Sequence, residues 1–213
     1  KRPLSNEDYY DTFNRPNVKL IDVSATKGVA AMTEKGFIAH GIEYEIDCMI
    51  FASGFEVSSD LDRRWGFDVF EGRDGLSIYD HWAEGYKTLH GVMTHAFPNQ
   101  FFIGYYQGGL NASTTEQYRQ QASHSVYIIK EALARGISAV EPSAAAQDAW
   151  VRHLRETAVD LTDFQSACTP SYYNNESETK TGSDGRAKYR HFLGATYGPG
   201  WTAFEQILKE WCV

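Results

Sequence analysis

The sequence predicts an α/β protein, on three observations. A continuous apolar run, Cys48-Met49-Ile50-Phe51-Ala52, stops sharply at Ser53-Gly54; a second, Gln100-Phe101-Phe102-Ile103-Gly104, precedes a glycine-rich turn; and a capped helical stretch opens at Ser113. Short apolar runs bounded by turn residues suit strands buried on both faces of a parallel sheet. Such strands combined with capped helices indicate the α/β class.

Taken in order, Asn17 to Val23 reads as a short strand after the breakers Arg15-Pro16. Residues 28–33 and 36–40 read as the arms of a hairpin. The stretch from Phe55 to Phe101 is irregular and rich in Gly, Asp and aromatic residues. Ser113-Thr114-Thr115-Glu116 has the capping-box arrangement, with Ser113 able to accept from the N3 amide and Glu116 to reach back. The helix it opens is predicted to run to about Arg135 and stop at Gly136, with Val126, Ile129 and Leu133 at helical spacing. Pro142 fits the first turn of a second helix carrying Trp150, Leu154 and Val159. Residues 171–186 are polar and rich in Asn, Ser, Thr and Gly, the composition of a mobile surface loop, and Phe204 to Trp211 closes the chain as a short helix.

At 213 residues the chain is long enough to bury a core, and 42% hydrophobic residues rule out global disorder. A net charge of −8 repels a phosphate backbone, so no nucleic-acid partner is expected. No apolar run approaches the roughly 20 residues of a membrane span. The chain opens Lys1-Arg2-Pro3 without an initiator Met, no signal peptide is expected, and its three Cys suit neither a disulfide framework nor a zinc site. A reducing cytoplasm is the expected setting. Aromatic content of 14% is high; it fits an apolar pocket, although large rings in an ordinary core are the commoner explanation.

Three stretches are candidate sites. Lys1-Arg2 is a basic pair, which on its own is usually just solvated. Ala52-Ser53-Gly54 ends an apolar run where open α/β sheets place ligands, or is a plain tight turn. The loop from Tyr105 to Ala112 carries the Gly108-Gly109 pair, which lets backbone approach a ligand, and feeds the amides of Ser113, Thr114 and Thr115. Those amides carry a partial positive charge suited to an anion or an electron-rich ring edge, unless the loop is only a connection. The seven His form no metal pattern and are expected at the surface or satisfied in the core. No G-x-G-x-x-G, Walker or G-x-S-x-G motif is present.

These residues resemble the C-terminal portion of the flavin-dependent Baeyer–Villiger monooxygenases that act on cyclohexanone, phenylacetone and steroids. The matching stretches are Lys1-Arg2-Pro3-Leu4, Tyr9-Tyr10, Phe13-Asn14-Arg15-Pro16-Asn17-Val18, Asp47 to Glu56, and Phe97-Pro98-Asn99-Gln100-Phe101-Phe102. The similarity extends to about residue 165; beyond it, Cys168 to Glu176 is more similar to members acting on large rings or steroids. The family's two glycine fingerprints and its F-x-G-x-x-x-H-x-x-x-W-P signature are absent, and no Trp lies between Trp150 and Trp201, where smaller-ring members carry one in the mobile loop.

The resemblance implies a Rossmann-like flavoprotein with two dinucleotide-binding domains, for FAD and NADP, present here as a C-terminal part. Residues 1–56 would end the NADP-binding domain and 57–213 would complete the FAD-binding domain, with a mobile loop at about 166–186. It implies an enzyme using NADPH and O2 to convert a bulky cyclic or steroidal ketone to an ester or lactone through a C4a-peroxyflavin. Its partners would be a small hydrophobic ketone, O2 and the missing N-terminal part of the same enzyme. By resemblance Arg2 stands beside the flavin, where a guanidinium keeps its charge and holds the developing oxyanion. Lys1 would face the 2′-phosphate of NADPH. Ala52, Ser53 and Gly54 would form the hinge between domains, and the helix opening at Ser113, Thr114 and Thr115 would aim at the flavin pyrimidine edge. Gly109, Leu110, Asn111 and Ala112, with Tyr172 and Tyr173, would line the substrate pocket. A related N- or S-oxygenating flavin enzyme, and a non-enzymatic α/β binding module, remain the alternatives.

Overall fold

A computed structural model describes residues 5–26, 28–54, 61, 65–159, 162–168 and 196–212. The chain divides into two compact units, Lys1–Phe55 and Glu56–Val213.

The first unit is built on a three-stranded antiparallel meander, β1 (Ala31–Met32), β2 (Gly36–Ala39) and β3 (Ile42–Glu45), in the order β1-β2-β3. Glycine fixes its register: a Cβ on Gly36 would stand 1.8 Å from the Tyr44 carbonyl oxygen, so only Gly fits opposite Glu45. The two-residue turn between β2 and β3 has positive φ at both His40 (52°) and Gly41 (75°), the twist that hairpins favour. Phe37 pairs with Tyr44 across the strands, their rings stacked at 5.2 Å. The hairpin arms expected at 28–33 and 36–40 therefore form. A helical turn, α1 (Tyr9–Thr12), precedes them.

Two strand expectations fail in this unit. Residues 17–23 are irregular and end in a 3-10 turn at Ser24–Thr26. The apolar run 48–52 is not a strand either: β3 stops at Glu45, and Ile50 and Phe51 are 87% and 76% exposed. A strand buried on both faces needs neighbours on both edges. No described residue pairs with this run.

The second unit holds the helices α2 (Ile78–His81), α3 (Thr114–Ala134), α4 (Ala144–Glu156), α5 (Thr162–Ala167) and α6 (Trp201–Trp211). Two aromatic-rich cores organise it. One gathers Ile78, Trp82, Phe97 and Phe102, with Trp65 in ring contact with Phe70, Tyr79, Trp82, Phe102 and Tyr106. The other joins α4 to α6 through Trp150, Leu154, Tyr197, Phe204 and Leu208. Much of the aromatic content is thus core packing rather than pocket lining.

The helix limits follow local chemistry. Ser113 caps α3, its Oγ accepting from the Glu116 amide at 3.4 Å. Glu116 does not reach back as a capping box requires; it turns forward to Arg119, whose Nε donates to it at 2.8 Å, while Asn111 Oδ1 accepts from the Ser113 amide at 2.8 Å. At the other end Gly136 (φ 65°) donates to Leu133 and Ile137 to Ala132, the paired bonds of a Schellman stop. α4 is capped by Ser143, so Pro142 precedes the helix instead of opening it, and Val159 lies beyond its end. The run 100–104 is no strand: Phe102 is buried and donates to Val92, but Ile103 is exposed. No helix among the described residues is long and apolar enough to cross a membrane.

Candidate functional site

The glycine-rich stretch from Gly104 to Ala112 runs into the N-terminus of α3, and side chains satisfy its backbone where a strand ladder does not. Gln121 brackets Gly104, its Oε1 accepting from the Gly104 amide at 2.9 Å and its Nε2 donating to the Gly104 carbonyl at 2.6 Å. Gln117 adds a bond to the same carbonyl and accepts from the Asn111 amide, both at 3.3 Å. Gln107, buried at φ 69°, accepts from the amide and hydroxyl of Thr88 at 2.8 and 3.0 Å and donates to the Tyr86 carbonyl at 2.6 Å. Trp150 Nε1 donates to the Gln107 carbonyl at 3.0 Å, and the Tyr197 amide to the Gly108 carbonyl at 3.0 Å. These bonds hold the loop by the protein's own groups, with no ligand needed to pair its backbone.

Close approach explains the glycines. A Cβ on Gly91 would lie 2.7 Å from the Gly108 nitrogen, so the turn at 90–93 presses backbone on backbone. A Cβ on Gly109 would lie 2.5 Å from Phe204 Cδ1. The volume beside Gly109 is therefore occupied by Phe204 of α6 and is not open for a ligand. Leu110 and Ala112 are exposed, Asn111 is half-buried, and Ser113 and Thr115 are exposed. Tyr105 Oη lies 3.1 Å from Thr114 Oγ1 and its ring meets Tyr118. The first-turn amides of a 21-residue helix, including those of Thr114 and Thr115, have no intrahelical partner and carry the positive end of the helix dipole. An anion or the electron-rich edge of a ring fits there.

Beneath the loop lies a pair of imidazoles that sequence reasoning left as unassigned core or surface residues. His90 Nδ1 lies 3.4 Å from His124 Nε2, and His90 is ringed by Trp150, Trp211 and His124. Burial, with His124 adjacent, pushes the His90 imidazole down to about 3; burial pushes His124 down to about 4. Both are neutral at pH 7 and act as packing and hydrogen-bonding groups. Their separation of 34 residues leaves no local motif that could have revealed the pair.

Of the sequence-derived candidates, Gly109, Leu110, Asn111, Ala112, Ser113, Thr114 and Thr115 come together at this loop and helix end. Ala52, Ser53 and Gly54 belong to the first unit, where they are exposed. Lys1, Arg2, Tyr172 and Tyr173, and the loop from 169 onward to 186, lie outside the described residues. Gln107, Gln117 and Gln121, which hold the loop, carry no signal in the sequence beyond composition, and Phe204 reads there only as the start of the closing helix. Among the described residues no group of His, Cys, Asp or Glu could hold a metal ion.

No family model matches the chain. Over 99% of its length it is 38% identical to neopentalenolactone D synthase of Streptomyces avermitilis, and likewise 35% identical to a Baeyer–Villiger monooxygenase of Streptomyces coelicolor. The polycyclic ketone monooxygenase of Thermothelomyces thermophila has the same fold over 97% of the chain, with a TM-score of 0.75 and 28% identity. The chain belongs to the Baeyer–Villiger monooxygenase family. It spans about a third of the length of these relatives, 34%, 33% and 32% respectively, and is a C-terminal part of a Baeyer–Villiger monooxygenase. Its α/β fold is correspondingly a part of the two-dinucleotide flavoprotein fold.

Proposed function

We propose that the full-length protein carrying this chain is an FAD- and NADPH-dependent enzyme that inserts one oxygen atom from O2 beside the carbonyl of a bulky cyclic ketone. The observation that carries the reading is the match of nearly the whole chain to neopentalenolactone D synthase and to proteins named Baeyer–Villiger monooxygenases. The likeness to a polycyclic ketone monooxygenase supports the substrate class, and a solved neighbour binding FAD and NADP, 25% identical with a TM-score of 0.68, supports the cofactors.

The described residues fit a flavin. α3 presents an open first turn, and Leu110 beside it offers an exposed apolar surface. Bound there, FAD supplies the oxygen-activating redox chemistry. The amides of Thr114 and Thr115 hold negative charge at the ring edge, with the Ser113 amide already engaged by Asn111, because preorganised dipoles need no reorganisation when charge develops. Leu110, Asn111 and Ala112 line the ketone site next to Gly109, whose own flank Phe204 has already filled. Tyr172 and Tyr173 add flat apolar walls. Arg2 holds the developing oxyanion with a charge it cannot lose, and Lys1 pairs with the 2′-phosphate of NADPH. In this reading residues 1–56 end the NADP-binding domain, Ala52-Ser53-Gly54 is the hinge, residues 57–213 complete the FAD-binding domain, and the preceding polypeptide supplies the dinucleotide glycine loops. Three free cysteines suit a reducing cytoplasm.

The test is the full-length protein with NADPH, O2 and a polycyclic ketone, read by its visible spectrum and by mass analysis of products. Yellow protein and an ester or lactone support the reading. Oxidation of amines or sulfides without any ester assigns the N- or S-oxygenating class, and colourless inactive protein leaves the binding module. Arg2→Ala is expected to abolish ester formation while flavin stays bound and reducible by NADPH. One preorganised donor is typically worth about 2.7–4 kcal/mol. Near-normal product from the Ala variant would remove Arg2 from the catalytic role.

A further inference from the structure

α3 is inverted relative to an ordinary surface helix. Its buried residues are Gln117, Gln120, Gln121, His124 and Ser125, all polar; Gln117 and Gln121 serve the backbone of the 104–111 loop and His124 meets His90. Ile128 and Ala132 are half-buried beside them, but other large apolar residues lie on another face: Tyr118, Val126, Ile129 and Leu133 are 37%, 53%, 40% and 72% exposed, with Ala122 exposed between them. Spacings of four, four, three and four residues set all five on one stripe, about 22 Å long at 1.5 Å per residue. One exposed Leu is ordinary. A continuous stripe of this length marks a surface meant to be covered.

We infer that this stripe of α3 is the docking face for an apolar surface of the polypeptide that precedes this chain in the full-length protein. The inference rests on family membership alone and goes beyond the proposed activity. Relatives are about three times as long, so the chain that is outside the structure is large enough to supply the cover. The exposed pair Ile50 and Phe51 in the first unit shows the same lack of a cover among the described residues. A second copy is disfavoured by charge, since each chain carries −8 and two copies repel. Arg119 engages Glu116, and Arg135 engages Glu131, within the helix. The occupant consequently needs an apolar centre more than complementary charges.

The test is thiol labelling of full-length protein bearing Ile129→Cys or, separately, Val126→Cys, with modified sites located by peptide mass so that Cys48, Cys168 and Cys212 are counted apart. Both substitutions keep a small apolar side chain and spare the polar face. Labelling at least about tenfold slower in the native protein than in the urea-unfolded chain is expected, because a covered thiol reacts only through opening. Labelling within about twofold of the unfolded rate would leave the stripe bare and overturn the inference. Protection that disappears on dilution, with sedimentation as a dimer, would assign the face to a second copy and overturn it equally. Labelling reads no turnover, so a full-length protein that oxidises no ketone but shields both positions refutes the proposed activity and keeps this assignment.

Discussion

Two stretches of the chain pose the same physical problem and meet it differently. Residues 104–109 and residues 48–52 are both irregular segments with apolar residues and backbone groups in need of partners. The first finds them: Gln121, Gln117, Trp150 and the Tyr197 amide bond to its backbone, and Phe204 packs on Gly109. The second finds none among the described residues, and Ile50 and Phe51 stay exposed. A buried polar backbone is tolerable only when each group is paired. The candidate site is therefore shaped by partners the described residues supply, whereas the 48–52 run has none among them.

Phe204 gives the strongest way to break that comparison. It is fully buried in the core that joins α4 to α6 and closes the flank of Gly109. Phe204→Ala in the full-length protein is expected to cost about 3–5 kcal/mol by denaturant titration, the range for deleting a buried aromatic side chain. Gly109→Ala would put a methyl 2.5 Å from the ring, so it is costly in the parent and far less so once Phe204→Ala has removed that ring. A double-mutant cycle measures this non-additivity. Additive effects would mean that α6 does not hold the loop.

Gln121 ranks next. Gln121→Leu keeps the volume roughly constant and strips partners from both the amide and the carbonyl of Gly104. Each orphaned buried group costs about 1–3 kcal/mol, so a loss of roughly 2–4 kcal/mol is expected after Gln117 retains its share. Faster hydrogen exchange at 104–109, with α4 unchanged, would locate the effect. A variant as stable as the parent would show that the loop is held without its glutamine.

These partners also explain what was legible in the sequence. The ends of α3 were, because Ser113, Gly136 and the residues that bond to them lie within a few positions of each other. The buried face was not. Val126, Ile129 and Leu133 located the helix through their period but mark its exposed side, since the buried side had been given to glutamines that serve a loop 13 to 17 residues away. The apolar runs at 48–52 and 100–104 have strand composition, but composition does not say whether a neighbour exists. The loop-to-helix site was legible as a glycine pair before a cap; that Phe204 already fills the space beside Gly109 was not, for α6 is about 95 residues on.

A moderate effect is expected from acid. His90 and His124 are held neutral at about 3 and about 4 in the folded protein, below the unfolded value of 6.5. The unfolded chain therefore binds more protons between those values, so their contribution is intact above about pH 6.5 and is lost as pH falls through 6 and 5 toward 4. The groups facing them are Trp150, Trp211 and the Cys212 thiol, none of which offers a compensating negative charge. Melting temperature should drop across that window in the parent and drop less in His124→Gln. Identical pH profiles would mean that other groups set acid stability.

The smallest expected effect separates helix stability from ligand binding at the α3 terminus. Ser113→Ala removes the hydroxyl that accepts from the Glu116 amide at 3.4 Å, a long cap that is backed up by Asn111 on the Ser113 amide. Loss of an N-cap typically costs about 1 kcal/mol, and a bond this long should sit at the low end. If the helix end faces a flavin ring edge, freeing one more amide leaves the dipole in place, so flavin retention should change far less than stability does. Comparing melting temperature with the flavin dissociation constant checks this. A large loss of flavin with little loss of stability would mean that the Ser113 hydroxyl itself contacts the ligand, and the amide-and-dipole account of this helix end would fall.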